Sequence, residues 1–362
     1  MEGKGDRAAY IDMAKGAGII LVLLSHLEGV DPALHGWISI LHMPLFFILS
    51  GMTLCFSEKK REGKALIKQR AKGLLIPYLS FSVIYFLVDI GNLAIGKIDG
   101  ARFLENALAS LSFCGKSVMW FLSSLFLAEL YFILLGLKKN RILRVMGTLL
   151  AGGLGCVLAV VWRGLFESTP LSIPGIFLMY LCKGIIRSFV VLPFVGAGYL
   201  AGLSPRAEKE DLPDGKSLKR LISAAAGVLF LVLGIIISHY YWSDTNDLII
   251  GDPLLYYSGG LCAFAVIFLC AALPEIKLLC IVGKASLVIM AAHLDLYLLW
   301  AGMQPAKLIY RAGFPLWLSL AATVVFTLIL GVLLDMLIRT FCPFILKGFS
   351  ENRVCNRRGD GV

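Results

Sequence analysis

The stretch Ala14–Gly29, AKGAGIILVLLSHLEG, decides the fold. It is an apolar run that carries one titratable imidazole, His26, near its far end. Apolar runs close to the roughly 20 residues needed to cross a bilayer recur along the whole chain, and short polar or basic segments separate them. With 58% hydrophobic residues, 16% charged residues and a mean hydropathy of +0.82, the chain is predicted to be an all-α polytopic membrane protein.

The spacing of the apolar runs predicts about ten transmembrane helices. They are expected at 13–30, 38–56, 75–95, 117–136, 145–162, 187–203, 221–241, 254–273, 278–300 and 316–338. The segment 170–187 has a short apolar run, two prolines and Lys183. It is therefore expected to be an amphipathic or re-entrant approach to the sixth span rather than a span of its own.

Loop charges predict the orientation. With ten spans, the basic clusters at 57–74, 137–144 and 204–220 all fall on the side of the amino terminus. Lysine and arginine are retained on the cytoplasmic side, so both termini are expected in the cytoplasm of a multi-pass cell (plasma) membrane protein. The predicted organisation is one membrane domain over 1–345, with a cytoplasmic loop at 203–220, followed by a cytoplasmic tail at 346–362.

The sequence lacks the features that are typical of several function classes. The net charge of +10 is explained by loops held against anionic inner-leaflet lipid, so no nucleic-acid partner is expected. The nine cysteines are scattered without a C-x-x-C pair, and no zinc-protease, nucleotide-loop or serine-elbow motif occurs. No metal site is therefore expected. The chain has no internal repeat, which disfavours a transporter built from two related halves.

Ionisable side chains within membrane spans are costly and therefore point to a site. His26 lies towards the outer half of the first span, and imidazole is the side chain best suited to take up a proton near neutral pH. His42 opens the second span on the same side, so the two histidines could line one outward-facing pocket. His293 and Asp295 lie in the ninth span but two residues apart, hence on different helix faces.

Two further groups have a possible role. Arg70 and Lys72 end the basic loop near the membrane entrance, where their charge could meet a phosphate or a nucleotide. Trp120 is at the expected outer interface of the fourth span, and Glu129 lies about nine residues deeper. For all these residues, helix packing is the competing interpretation.

The order of the motifs along the chain is similar to that of a known protein family. The chain has Arg7, then YIDMAKGAGIILVLLSH, LHMPLFFILSGM, RAKGLLIPY, WFLSSLFLAEL and GKASLVIMAAH. This series resembles the family 3 membrane acyltransferases, in particular the fucose 4-O-acetylase-like branch. The similarity runs from Arg7 to at least His293, and its most specific part is the first eighty residues.

The resemblance implies an O-acetyltransferase with ten membrane helices. Such an enzyme moves an acyl group, usually acetyl from acetyl-CoA on the cytoplasmic side, to a hydroxyl of a cell-surface or lipid-linked saccharide. The expected catalytic histidine falls on His26. The R-x-x-R motif linked to acyl-CoA reads Arg70-Ala71-Lys72-Gly73, so the cofactor assignment rests on Arg70, with Lys72 as a substitute.

The resemblance also matches His42, Trp120 and His293 to recurrent family positions, and we assign them to the substrate or transition-state pocket. No metal is implied. Two alternatives from other classes are a small-molecule or glycan exporter of the membrane, and a sensory or anchoring protein whose polar residues only pack.

Overall fold

The chain is all α-helical wherever its structure is described. The computed structural model describes residues 6–61, 63–136, 141–166, 172–203, 213–240 and 247–346. Within these ranges are thirteen α-helices: α1 (Asp6–Leu24), α2 (Pro32–Glu58), α3 (Gly63–Ala94), α4 (Gly100–Leu111), α5 (Trp120–Gly136), α6 (Arg141–Phe166), α7 (Ile173–Gly202), α8 (Pro213–Tyr240), α9 (Leu248–Gly251), α10 (Pro253–Ala272), α11 (Lys277–Ala292), α12 (Leu298–Arg311) and α13 (Leu316–Phe341). The predicted fold class, an all-α polytopic membrane protein, is confirmed.

Eight of the described helices are long and apolar enough to cross a membrane: α2, α3, α5, α6, α7, α8, α10 and α13. They correspond to eight of the ten predicted spans. The other two predictions fall on α1 and α11. Four charged residues occupy the first half of α1, and α11 has only 16 residues.

Several helix boundaries differ from the sequence prediction. The third helix begins at Gly63 and not at 75, so Arg70 and Lys72, expected at the end of a basic loop, lie within α3. The segment 170–187 is not a separate approach to a span, because α7 runs without a break from Ile173 to Gly202. The first span was expected to continue to 30, but α1 ends at Leu24. The ninth was expected to continue to 300, but α11 ends at Ala292 and a turn follows. Both shortened helices therefore end just before a histidine.

Two predicted cytoplasmic segments lie partly or largely outside the described residues. Of the loop 203–220, residues 204–212 are not described, and the part from Pro213 onward begins α8. The tail from 347 to 362 is likewise not described. Neither prediction is tested.

The chain divides into two compact units. The first consists of 1–55 and 194–333, and the second of 56–193 and 334–362. In the first unit α1 packs against α10 and α11, and α10 packs against α8. In the second, α3 packs against α4 and α5, and α5 packs against α6.

Two glycines bring α1 and α11 into backbone contact in the first unit. A Cβ atom on Gly16 would meet the carbonyl oxygen of Leu279, and one on Gly283 would meet the carbonyl oxygen of Asp12. The two helices therefore cross so closely that a side chain at either glycine would clash with the backbone of the other helix. In the same unit, Gly51 similarly faces the backbone of Val195.

Gly283→Ala is expected to destabilise the protein by about 1–3 kcal/mol, because its methyl group forces α1 and α11 apart. Thermal unfolding of the detergent-solubilised protein measures the effect. The matched control is Gly153→Ala in α6, where nothing lies within 4 Å of the added Cβ. That variant should be unchanged or slightly more stable, since alanine favours a helix. Equal stability of the two variants would contradict the close crossing.

Candidate active site

Two histidines meet at the ends of α1 and α11. The ring centroids of His26 and His293 are 4.9 Å apart, with 38° between the ring planes. His26 follows Gly16 by ten residues, and His293 follows Gly283 by ten residues. The glycine crossing and the histidine contact are thus ten residues apart on both chain segments. Since both segments advance together from one contact to the next, α1 and α11 run in the same direction. The crossing thus fixes where both imidazoles lie.

His26 lies in the turn that follows α1, and its side chain is exposed. The Ser25 hydroxyl donates a hydrogen bond to the carbonyl oxygen of Val22 at 2.8 Å. His35 Nε2 donates to the carbonyl oxygen of Ser25 at 2.9 Å. These bonds fold the chain directly after Leu24 and present the His26 imidazole at an accessible surface of the first unit.

His293 caps the carboxyl end of α11 and is buried, with 1% of its surface exposed. Its Nδ1 lies 2.6 Å from the carbonyl oxygen of Met290. Its Nε2 is buried and has no hydrogen-bond partner among the described residues. His293 is therefore the buried member of the pair, and its Nε2 is a polar atom without a hydrogen-bond partner among the described residues.

His42 is the third imidazole of the first unit's cluster. It is 9% exposed within α2, and its Nδ1 lies 2.7 Å from the carbonyl oxygen of Ile38. It is close enough to His26 and His293 for electrostatic interaction with both. The structure therefore brings together three of the histidines that the sequence assigned to the site, and adds His35, which the sequence did not.

The hydrogen bonds determine which nitrogen of each ring carries a proton. A carbonyl oxygen only accepts, so Nδ1 of His42 and of His293 must donate, and Nε2 of each neutral ring is a bare acceptor. Neutral His42 therefore has no N–H left to stabilise an oxyanion. Among the described residues, the His26 ring makes no such bond to the backbone, and it is an accessible imidazole that can exchange protons with a bound molecule.

Arg70 and Glu129 form a buried ion pair in the second unit. Arg70 is 8% exposed and Glu129 is fully buried. Arg70 Nε donates to Glu129 Oε2 at 2.6 Å, and its Nη2 donates to Oε1. This two-bond geometry joins α3 to α5 and balances the arginine charge. Lys72, two residues further along α3, is exposed.

Trp120 also lies in the second unit, at the first residue of α5. The guanidinium of Arg187 lies 5.1 Å from the centre of its ring, a cation–π contact. The loop before Trp120 contains two non-glycine residues with positive φ, Phe113 at 62° and Ser117 at 48°. Such strained backbone persists only where surrounding packing holds it, which often occurs at functional sites.

The sequence considered Arg70 and Glu129 separately and missed their pairing. It also missed the bond from Lys116 Nζ to Asp89, at 2.7 Å. The sequence feature that could have indicated both ion pairs is the presence of opposite charges within apolar runs. No group of three or more metal-ligating side chains occurs in the described part of the chain.

Comparison with known proteins gives one match. A family model described as an acyltransferase domain, of the acyltransferase 3 type, matches residues 8–336. No curated protein and no solved structure matches the chain.

Proposed function

Because the chain belongs to the acyltransferase 3 family, we propose that it transfers an acetyl group from acetyl-CoA to a hydroxyl of a cell-surface or lipid-linked saccharide. The choice of donor and acceptor rests on the motifs that resemble the fucose 4-O-acetylase-like branch. The single structural observation that supports the reaction is the exposed His26 imidazole against His293. In this proposal the enzyme spans the plasma membrane, with both termini in the cytoplasm.

The proposed step uses His26 as general base. One ring nitrogen of His26 takes the proton of the acceptor hydroxyl as its oxygen attacks the thioester carbonyl. The new C–O bond forms and the C–S bond breaks. The sulfur then leaves with the proton that His26 had taken, so the products are the acetyl ester and free CoA. The developing oxyanion needs a hydrogen-bond donor.

In the second unit, Lys72 is one of the exposed cations, and we propose it for the phosphates of acyl-CoA. Arg70 faces Glu129 with two of its N–H groups, so its part is to hold α3 and α5 together beside Lys72. Lysine binds phosphate as a point charge, without the two-bond geometry of arginine. This arrangement would explain why the usual second arginine is not required here.

Lys72→Ala is expected to raise KM for acetyl-CoA about tenfold, the loss of about 1.4 kcal/mol of binding, with kcat unchanged. Lys72→Arg should keep most of the affinity. Initial rates at varied acetyl-CoA and salt concentration measure both, because an electrostatic contribution weakens as salt is added. An unchanged KM in Lys72→Ala would remove Lys72 from the donor site.

The test of the function is transfer of label. Membranes containing the protein are given acetyl-CoA labelled in the acetyl group, together with saccharide and lipid-linked saccharide fractions. Label should enter a saccharide as an ester that mild base releases. Absence of labelled ester with every fraction, although the protein is folded and inserted, would contradict the proposal. Export of an unmodified small molecule under those conditions would favour the exporter instead.

A further inference from the structure

We propose that His293 is a positioning residue: its Nε2 accepts a hydrogen bond from His26 and so determines which His26 nitrogen acts as the base. This inference deepens the proposed function and rests on it. The contact between the two rings, at 4.9 Å, is what suggests it.

The first step is the state of His293 itself. The Met290 carbonyl oxygen lies 2.6 Å from Nδ1 and can only accept, so the Nδ1 proton is held there. The turn that follows keeps the ring in place. His293 N–H donates to Ile289, and its carbonyl oxygen accepts from Leu299 N–H at 3.0 Å. A neutral His293 thus always presents a bare Nε2.

The second step is that this nitrogen lacks a partner. It is buried with no hydrogen bond among the described residues, a condition that costs about 1–3 kcal/mol. The neighbouring ring that can supply an N–H is His26. With 4.9 Å between the ring centroids, the two rings are close enough for a hydrogen bond between their nitrogens once the exposed His26 side chain is suitably turned. Such bonds commonly tighten only when substrate is bound.

The third step concerns the proton on His26. When one His26 nitrogen donates to His293, the other is bare and faces the accessible side. It takes the proton of the acceptor hydroxyl, giving an imidazolium that keeps its bond to His293. That proton then passes to the leaving sulfur, while His293 keeps its own Nδ1 proton throughout. His293 therefore orients the base and stabilises its charged form, as a buried carboxylate does in a Ser-His-Asp triad.

The backbone around His293 favours a fixed geometry. Tyr297, four residues on, has a φ of 57°, a left-handed conformation that is costly for a tyrosine. Its N–H donates to the carbonyl oxygen of Leu294, and its carbonyl oxygen accepts from Ala301 at 2.9 Å. The strained turn joins α11 to α12 and keeps His293 at the end of α11 instead of inside a longer helix.

The kinetic test compares His293→Ala with His293→Gln. Alanine removes the acceptor, so kcat should fall about 100-fold with KM for acetyl-CoA nearly unchanged, since a misplaced base loses its near-attack geometry. Glutamine offers a side-chain oxygen as acceptor and should restore kcat to within about tenfold of the natural protein. Val288→Ala, also fully buried in α11, controls for lost packing. Equal loss in the alanine and glutamine variants, or in Val288→Ala, would overturn the assignment.

A second measurement does not require turnover. Diethylpyrocarbonate acylates neutral, accessible imidazole, and mass spectrometry gives the rate at His26. Loss of the acceptor in His293→Ala should slow this reaction about tenfold, because an orienting partner raises imidazole basicity. An equal or faster rate would overturn the pairing. If the natural protein transfers no acetyl group but the rate difference is present, the proposed function fails and the histidine pair stands.

Discussion

His26→Ala is expected to reduce acetyl transfer by about 10²–10⁴-fold, the contribution usual for a general base. Among the described histidines, the neighbours of His26 are less suited to replace it, because the exposed His35 already uses its Nε2 to donate to the carbonyl oxygen of Ser25. His293 is buried, and His42 is buried within α2 with Nδ1 already donating to its own helix. The loss should appear in kcat, because the interaction is made with the hydroxyl proton in the transition state.

The same variant should leave folding intact. His26 is exposed in a turn, and substitutions at such positions usually change stability by no more than about 0.5 kcal/mol. Melting temperature and membrane level therefore serve as internal controls. Leu34→Ala, at another exposed position of the same unit, should keep both stability and activity. A folded His26→Ala protein with full activity would exclude His26 as the general base.

Glu129→Ala is expected to destabilise the protein by about 3–5 kcal/mol, the largest effect on stability that we predict. The substitution removes the carboxylate from a site with no solvent exposure and leaves the Arg70 guanidinium buried without that counter-charge. The cost lies in the remaining charge and not only in two lost hydrogen bonds. Thermal unfolding and size-exclusion profiles of the solubilised protein measure it.

The double variant Arg70→Met, Glu129→Leu distinguishes a role of the ion pair in stability from a role of Arg70 in binding acetyl-CoA. Two apolar side chains of similar volume avoid the desolvation cost, so this variant should recover most of the stability that Glu129→Ala loses. If it is stable and KM for acetyl-CoA is unchanged, Arg70 is structural. If it is stable but KM rises strongly, Arg70 binds the donor directly. A double variant as unstable as Glu129→Ala would contradict the ion-pair explanation.

The eight helices long enough to cross a membrane could be predicted from sequence because their apolar length specifies them, whereas the shorter helices α4, α9 and α12 were not predicted. The end of α11 could not. The residues around it, MAAHLDLYLLW, contain neither glycine nor proline, and a continued helix is compatible with their local propensities. The break depends on Tyr297 adopting a left-handed conformation, which only tertiary packing can enforce.

The candidate residues were predictable one by one, but their partners were not. Glu129 is 59 residues from Arg70, and other opposite charges in the same unit, such as Asp89 and Lys116, were equally available. For His26 and His293 the repeated spacing from Gly16 and Gly283 was a usable signal. Sequence alone did not say that the first and ninth predicted spans are neighbours.

The shortness of α11 has a consequence for the acceptor. Its 16 residues rise about 24 Å, whereas the hydrocarbon layer is about 30 Å thick. If α11 entered that layer at Lys277, its far end would stop below the opposite headgroups, and a turn at such a depth would have to be covered by protein or wetted. In the proposed reaction, a sugar hydroxyl that reached His26 at that depth would have to give up part of its hydration. A lipid-linked saccharide is already held at the membrane by its lipid. Such an acceptor would therefore be favoured over a freely dissolved sugar.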